Sequence, residues 1–210
     1  KGFHMKRLWS IGEALIDFLP SQKSFVPVVG GAPANVAACY AKLGGKSFFV
    51  GKSSLDTFGD MIQNQLEKAT VNTDFLFRTK DANTGLCFVS LNPDGEREFM
   101  LYRNVSADML LNKEEIKDIS FEKDDILQFG SVDLVDMPVK YATDFLIEKA
   151  KKQGALLCFD PNVRKNTWND LDAYKKVIKE YIKLSDIIKI SDEDCEFVFD
   201  DMPLDNVVEE

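Results

Sequence analysis

Polar residues able to do chemistry recur at one kind of place in this sequence, just after a short apolar run. Ile11 is followed by Gly12-Glu13 and then Asp17. The run ending at Val29 is followed by Gly30-Gly31 and Asn35. The run 155–160 delivers Asp160, Asn162 and Arg164, and the run 186–190 delivers Lys189, then Ser191 and the acidic trio Asp192-Glu193-Asp194. A further set, Arg97, Phe99, Leu101 and Arg103, alternates and so shares one face of an extended segment. Carboxylates and amides gathered in one cleft can hold a polyhydroxyl ligand bidentately. Lys, Arg and an acidic Mg²⁺ site in the same cleft suit phosphate chemistry.

Several common chemistries are excluded. Neither Gly45-Lys46-Ser47 nor Gly51-Lys52-Ser53 belongs to a P-loop, because the glycine required five residues earlier is Tyr40 or Lys46. No GxGxxG follows a strand. The single histidine, His4, lies in a KGFH start (residues 1–4) that reads as a tag remnant before Met5, which leaves no His-based triad or His-rich metal site. A net charge of −9 gives no basic surface for nucleic acid or anionic lipid. No apolar run is long enough to span a membrane. The four cysteines (Cys39, Cys87, Cys158, Cys195) lack CxxC spacing and lie in apolar segments. They are expected as reduced core thiols of a cytoplasmic protein.

The elements that must position these residues alternate in type. Strands are expected at 7–12, 24–29, 47–51, 125–130, 155–160 and 186–190. Helices are expected at 33–43, 56–69, 138–152, 170–184 and from Ser191, with another beginning near residue 205. Pro27 marks 24–29 as an edge or short strand. Pro33 suits the first position of a helix built almost wholly of small residues, which Gly44-Gly45 stops. Alternating strands and helices imply a parallel sheet with right-handed crossovers. Residues 84–103 break the rhythm as two strands joined by Asn92-Pro93-Asp94-Gly95, a hairpin that reads as a separate flap.

The segments GEALIDFLP, GGAPANVA, LDTFGD, DGEREFMLYR, FDPNVR and KISDED stand in the order found in the ribokinase-like (PfkB) carbohydrate kinases, and the chain most resembles bacterial fructokinases across residues 6–200. That resemblance implies a three-layer α/β/α domain with a mostly parallel central sheet and a small β-sheet lid. Residues 6–12, 32–83 and 106–210 would form the core and residues 13–31 and 84–105 the lid. It implies transfer of the γ-phosphate of ATP, with Mg²⁺, to a sugar hydroxyl, fructose giving fructose 6-phosphate. Asp17 and Asn35 would hold sugar hydroxyls, and Gly30-Gly31 would let the sugar lie against bare backbone. Phe99 and Arg103 would close the lid, and Asn162 and Arg164 would line the sugar and phosphate path. Lys189 and Ser191 would meet ATP, with Asp194 near the Mg²⁺ water shell. The family usually has N-x-x-E where this chain has Ser191-x-x-Asp194. Its GAGD segment, with the general-base aspartate and the anion-binding turn, would lie beyond residue 210. The fold is therefore expected to be incomplete at its C-terminal side and the chain by itself inactive.

Structural readings stand beside these roles. Gly30-Gly31 could be only a tight turn, Asn35 a first-turn residue and Asp160-Pro161-Asn162 only turn chemistry. Ser191-x-x-Asp194 also fits a capping box, and Lys189 a snorkelling residue at a strand end. Ribose, 2-keto-3-deoxygluconate or a riboside are alternative substrates, and a non-catalytic sugar-binding fragment is an alternative function. A hairpin with apolar residues on both faces needs cover, which a homodimer through the lid would supply.

Overall fold

The structure, a computed structural model, describes residues 6–91 and 97–200. The expected turn at 92–95, the start of a helix near 205 and the presumed tag lie outside the described residues. In chain order, β1 (Leu8–Ile11), β2 (Leu15–Ser21) and β3 (Ser24–Gly30) precede α1 (Ala32–Lys42). Then come β4 (Ser47–Ser54), α2 (Thr57–Lys68), β5 (Asn72–Thr79), β6 (Leu86–Leu91) and β7 (Arg97–Tyr102). After α3 (Lys113–Ile116) the alternation resumes with β8 (Ile126–Gly130), α4 (Pro138–Gln153), β9 (Leu156–Asp160), α5 (Leu171–Leu184), β10 (Ile187–Ile188) and α6 (Asp192–Phe199).

Two strands exceed the sequence expectation. β2 begins on the buried Leu15-Ile16 and runs out to exposed Pro20, so its apolar pattern fades along its length. β5 carries polar residues at its start and sits at a sheet edge. The strand expected at 186–190 shortens to two exposed isoleucines. α1 begins at Ala32, which puts Pro33 second in the helix rather than first. Of the cysteines expected in the core, Cys39 is exposed on α1 and Cys158 only partly covered; all four are free thiols.

Six strands form one sheet in the order β10-β9-β8-β1-β4-β5, and every neighbouring pair in it is parallel. β1 is first in sequence yet central in space, with Leu8 beside Ser47 on one side and beside Ile126 on the other. Because crossovers are right-handed, moving outward through β4 and β5 places α1 and α2 on one face. Moving outward through β8, β9 and β10 places α4 and α5 on the other. Side-chain packing follows this division. Phe49 and Leu76 meet Ala34, Ala37, Ile62 and Leu66 of α1 and α2, whereas Trp9, Leu127, Phe129 and Phe159 meet Leu146, Tyr174 and Ile178 of α4 and α5. The winding direction reverses at β1, and such a reversal opens a crevice beyond the carboxyl ends of the strands.

Local sequence explains the helices. Asp56 caps α2 by accepting the Gly59 amide at 2.7 Å, with Ile62 and Leu66 buried four residues apart. Asp170 caps α5 in the same way, and Tyr174, Ile178 and Tyr181 line its buried stripe. α4 ends at Gly154 in the left-handed conformation, φ 80°. The small residues of α1 let it lie close on the sheet, where Ser10 Oγ donates to the Pro33 carbonyl at 2.8 Å.

The remaining strands form a second sheet in the order β3-β2-β6-β7. β2 and β6 are parallel, and the two outer pairs are antiparallel. Pro27 lies on its edge strand, where its missing N–H costs no ladder bond. Leu127 is fully buried and held between β1 and β9. Leu127→Ala is expected to cost about 2–5 kcal/mol in chemical denaturation, while Leu43→Ala, at a position 79% exposed, stays within about 0.5 kcal/mol.

Candidate functional site

The crevice at the end of β1 is a cavity of about 270 Å³. Its walls come from both sheets. The second sheet supplies Leu15 and Asp17 from β2, Cys87 from β6, and Phe99 and Leu101 from β7. The core supplies Glu13, Gly31, Ala32 and Asn35 around the start of α1, then Val132, and Asn162 and Arg164 beyond β9. Alternation along the strands explains the choice. Asp17 stands opposite Cys87, and Cys87 opposite Leu101, so all three share the inner face, while Phe18, Phe88 and Met100 share the outer.

Asp17 is half-buried. Burial raises its pKa, against hydrogen bonding to Cys87 and the charge of Arg164. The Cys87 thiol is pushed up to about 11, first by burial and then by the neighbouring Asp17 charge, which keeps it protonated as a donor. Arg164 lies 5.0 Å from the centre of the Phe99 ring, and Asn166 Nδ2 donates to the Phe99 carbonyl at 3.0 Å. The second sheet is thus pinned to the core across the cavity mouth. Asn162 adopts φ 43°, a left-handed conformation that asparagine tolerates better than most residues.

Gly30 and Gly31 are required, but for a reason the sequence did not disclose. A Cβ on Gly30 would meet the Asp17 carboxylate within 3.0 Å, and one on Gly31 (φ 102°) would meet the Glu13 carbonyl as closely. What crowds the turn is the protein itself. Gly31 still borders the cavity, whereas Gly30 is set behind Asp17.

Arg103 is a correction. Expected on the lid face, it follows the last residue of β7 and turns into the core. There its guanidinium pairs with Asp108 at 2.6 Å and with Asp133, and donates to the Val132 carbonyl at 3.1 Å. It is buried beneath the cavity and does not line it. The side chain of Arg97 lies outside the described residues.

A second cleft adjoins the first and shares Phe99, Asn162 and Arg164 with it. Its other walls include Lys165, Lys189, Ser191, Glu193, Asp194 and Phe197. Lys189 is 3.3 Å from Asp160, whose pKa burial raises and Lys189 partly restores. Ser191 caps α6 by accepting the Asp194 amide at 3.2 Å, and Asp194 Oδ1 accepts the Val163 amide at 3.0 Å. Both residues therefore have the structural role as well as a place in this cleft. Among the described residues no three His, Cys, Asp or Glu side chains are grouped to hold a metal ion. The acidic groups of this cleft fit an ion that arrives with phosphate and keeps its waters, rather than a protein-built cage.

Glu13, Cys87 and Leu101 are cavity residues that carried no assigned role from the sequence. Glu13 offered a signal in its place after β1; Cys87 offered none beyond alternation.

A model of the pfkB family of carbohydrate kinases matches residues 5–208. The chain belongs to this family. Fructokinase-2 of Zea mays is 43% identical over 197 residues, covering 90% of this chain and 59% of the maize protein. The chain thus spans about 60% of the length of the curated relatives it matches. A double mutant of fructokinase from Vibrio cholerae O395, solved with fructose, ADP and potassium ion, superposes with a TM-score of 0.92 at 30% identity. That match covers 100% of this chain and 67% of the other. Aminoimidazole riboside kinase from Salmonella enterica gives 0.84 at 25% identity, over 96% of this chain and 65% of that one. The family's ribokinase-like architecture is the one described above, a parallel three-layer core with a small second sheet.

Two glycines at positive φ separate strain from collision. Gly44→Ala (φ 90°) faces open space and is expected to cost about 1 kcal/mol. Gly31→Ala adds a backbone clash and is expected to cost at least about twice that in urea denaturation.

Proposed function

We propose that the full-length protein phosphorylates a sugar hydroxyl with ATP and that its substrate is fructose. The observation that carries this reading is the pair of joined clefts. One is lined by the carboxylate and amide of Asp17 and Asn35; the other is lined by Lys189 and the first turn of α6; Arg164 stands at their junction. An acceptor hydroxyl held in the first cleft would face a phosphate held in the second. The fructose- and ADP-bound relative supports the same assignment of ligands.

In this reading Asp17 accepts hydrogen bonds from sugar hydroxyls, Asn35 both donates and accepts, and Gly31 and Phe99 bound the ring. Asn162 and Arg164 would orient the transferring phosphoryl group, and Lys189 would meet the nucleotide phosphates beside Ser191. Mg²⁺ carried with ATP would supply charge neutralisation at the phosphates, its waters facing Asp194. The contacts of Phe99 with Arg164 and Asn166 would hold the second sheet closed, excluding water and fixing the hydroxyl in line. The general base and the anion-binding turn are assigned to the full-length protein, since the chain spans 59% of the maize relative.

The riboside kinase similarity keeps a riboside as the second candidate. Comparing ATP turnover on fructose, ribose, 2-keto-3-deoxygluconate and a riboside with the full-length protein separates these. For the chain in hand, fructose is expected to raise the melting temperature. Asp17→Ala is expected to weaken that binding tenfold or more, as loss of a charged hydrogen-bonding group worth about 1.5–3 kcal/mol implies. Unchanged affinity in calorimetry would remove Asp17 from the site.

The outer face of the second sheet supports a homodimer as the working assembly. Phe25, Met100 and Tyr102 are each about half exposed, and Phe25 and Tyr102 both pack edge-on against Phe88. A second copy is expected to cover this face, so the Met100→Asp/Tyr102→Asp double variant is expected to sediment as a monomer where the parent is a dimer. Four free thiols support a cytoplasmic placement. Among the described residues, no helix is long and apolar enough to cross a membrane.

A further inference from the structure

The chain passes between the two sheets four times, and all four passages meet at one buried cluster. Glu13 lies on the passage from β1 to β2. Its Oε1 accepts the Ala32 amide at 3.0 Å on the passage from β3 to α1. Arg103 lies on the passage out of β7. On the passage from β5 to β6, Gly85 has open distances of only 3.3 Å to Ser106 Oγ and 3.5 Å to Asp108 Oδ1 for any added Cβ. Arg103 Nε donates to Asp108 at 2.6 Å, Ser106 donates to Asp108, and Arg103 Nη2 donates to Asp133. Asp133 also presses on Gly12, where a Cβ would sit 2.7 Å from Oδ2. Glu13 neighbours Asp133 closely enough to donate a hydrogen bond to it if protonated, which would close the circuit.

Four charged residues here are 2–8% exposed, and they do not balance. One guanidinium faces three carboxyl groups, Glu13, Asp108 and Asp133. Asp108 is fully engaged by Arg103 and Ser106, and Asp133 takes the other edge of Arg103. Nothing of opposite charge remains for Glu13, which faces Asp133, Arg103 beyond it, and the Ala32 amide, with Asp17 across the cavity. Removing a third uncompensated anion from water would be costly. We infer that Glu13 is a positioning residue held as the neutral acid, donating its proton to Asp133 and so locking the second sheet to the core through Arg103. A raised pKa at Glu13, caused first by burial and then by the Asp133 charge, agrees with this arrangement.

The sign of the pH effect follows. A carboxyl that is protonated when folded and ionised when unfolded contributes its full stabilisation below the unfolded pKa, and loses it as pH rises toward the folded value. From the ordinary value of 4.5 upward, the wild-type folding constant is expected to fall about tenfold more per pH unit than that of Glu13→Gln. The glutamine amide reproduces the neutral acid. Its oxygen accepts Ala32 N–H and its NH₂ donates to Asp133.

The test is urea denaturation of wild type, Glu13→Gln and Glu13→Ala at a series of pH values from 5 to 8. It is joined by hydrogen exchange at residues 84–86 and 103–106. Glu13→Gln is expected to flatten the pH dependence and keep those amides protected, whereas Glu13→Ala loses the protection. Parallel pH curves for wild type and Glu13→Gln would overturn the inference. Should Glu13→Gln fail to fold, infrared spectroscopy of wild type with ¹³C-glutamate at pH 7 decides. A labelled protonated-carboxyl band supports the neutral acid, and its absence rejects it. None of these readouts needs bound sugar or nucleotide.

Discussion

Everything about the site depends on how two separately wound sheets are held at a fixed angle; apolar contacts of Ile16, Phe18 and Leu86 with α1 and α2 press them together, and a few buried polar groups add direction. Apolar clusters flank these groups. One lies between the parallel sheet and α4 and α5, another under α1 and α2, and a small third cluster of Leu15, Cys87 and Val89 backs the second sheet. Between the sheets stands Arg103 with its carboxyl partners. Hydrophobic burial is non-directional and would tolerate sliding. A planar guanidinium with fixed donors sets both distance and angle. The cavity owes its shape to that geometry.

The same economy governs the glycine turn before α1. Gly31 lets the chain double back against the Glu13 carbonyl, and that close approach carries the Ala32 amide onto the Glu13 side chain. α1 has no side-chain cap at its own N-cap position; a residue eighteen positions upstream of that cap does the work. A single compact corner thereby supplies the start of a helix, one wall of a cavity and one joint between sheets.

How much of this was legible in the sequence follows from the range of the forces involved. The central strands and long helices were readable because their apolar patterns are local, as with Leu127–Phe129 and the Tyr174/Ile178/Tyr181 stripe. The placement of Asp17, Asn35, Phe99, Asn162 and Arg164 around one cavity was anticipated from motif order and strand alternation. Arg103 was misplaced by that same alternation. β7 ends at Tyr102, and the period that carries Phe99 and Leu101 inward no longer governs the next residue. Its partners Asp108 and Asp133 are meaningful only once β8 lies beside β1, a contact between segments more than a hundred residues apart. The glycine turn was marked by its composition, but what crowds it, the Asp17 carboxylate at Gly30 and the Glu13 carbonyl at Gly31, belongs to another segment.

The central position of β1 has a kinetic consequence. Made before the other strands of its sheet, it finds its neighbour β4 within some forty residues, but its other edge has no partner until β8 at Ile126 has been made. Pairings that close such long loops are slow to form. Through that interval the β8-facing edge of an apolar strand, with Trp9 already able to stack on Phe48, stands open to any other extended chain. The arrangement that places the cavity at the centre of the sheet thus makes the nascent protein vulnerable to aggregation until β8 has been synthesised.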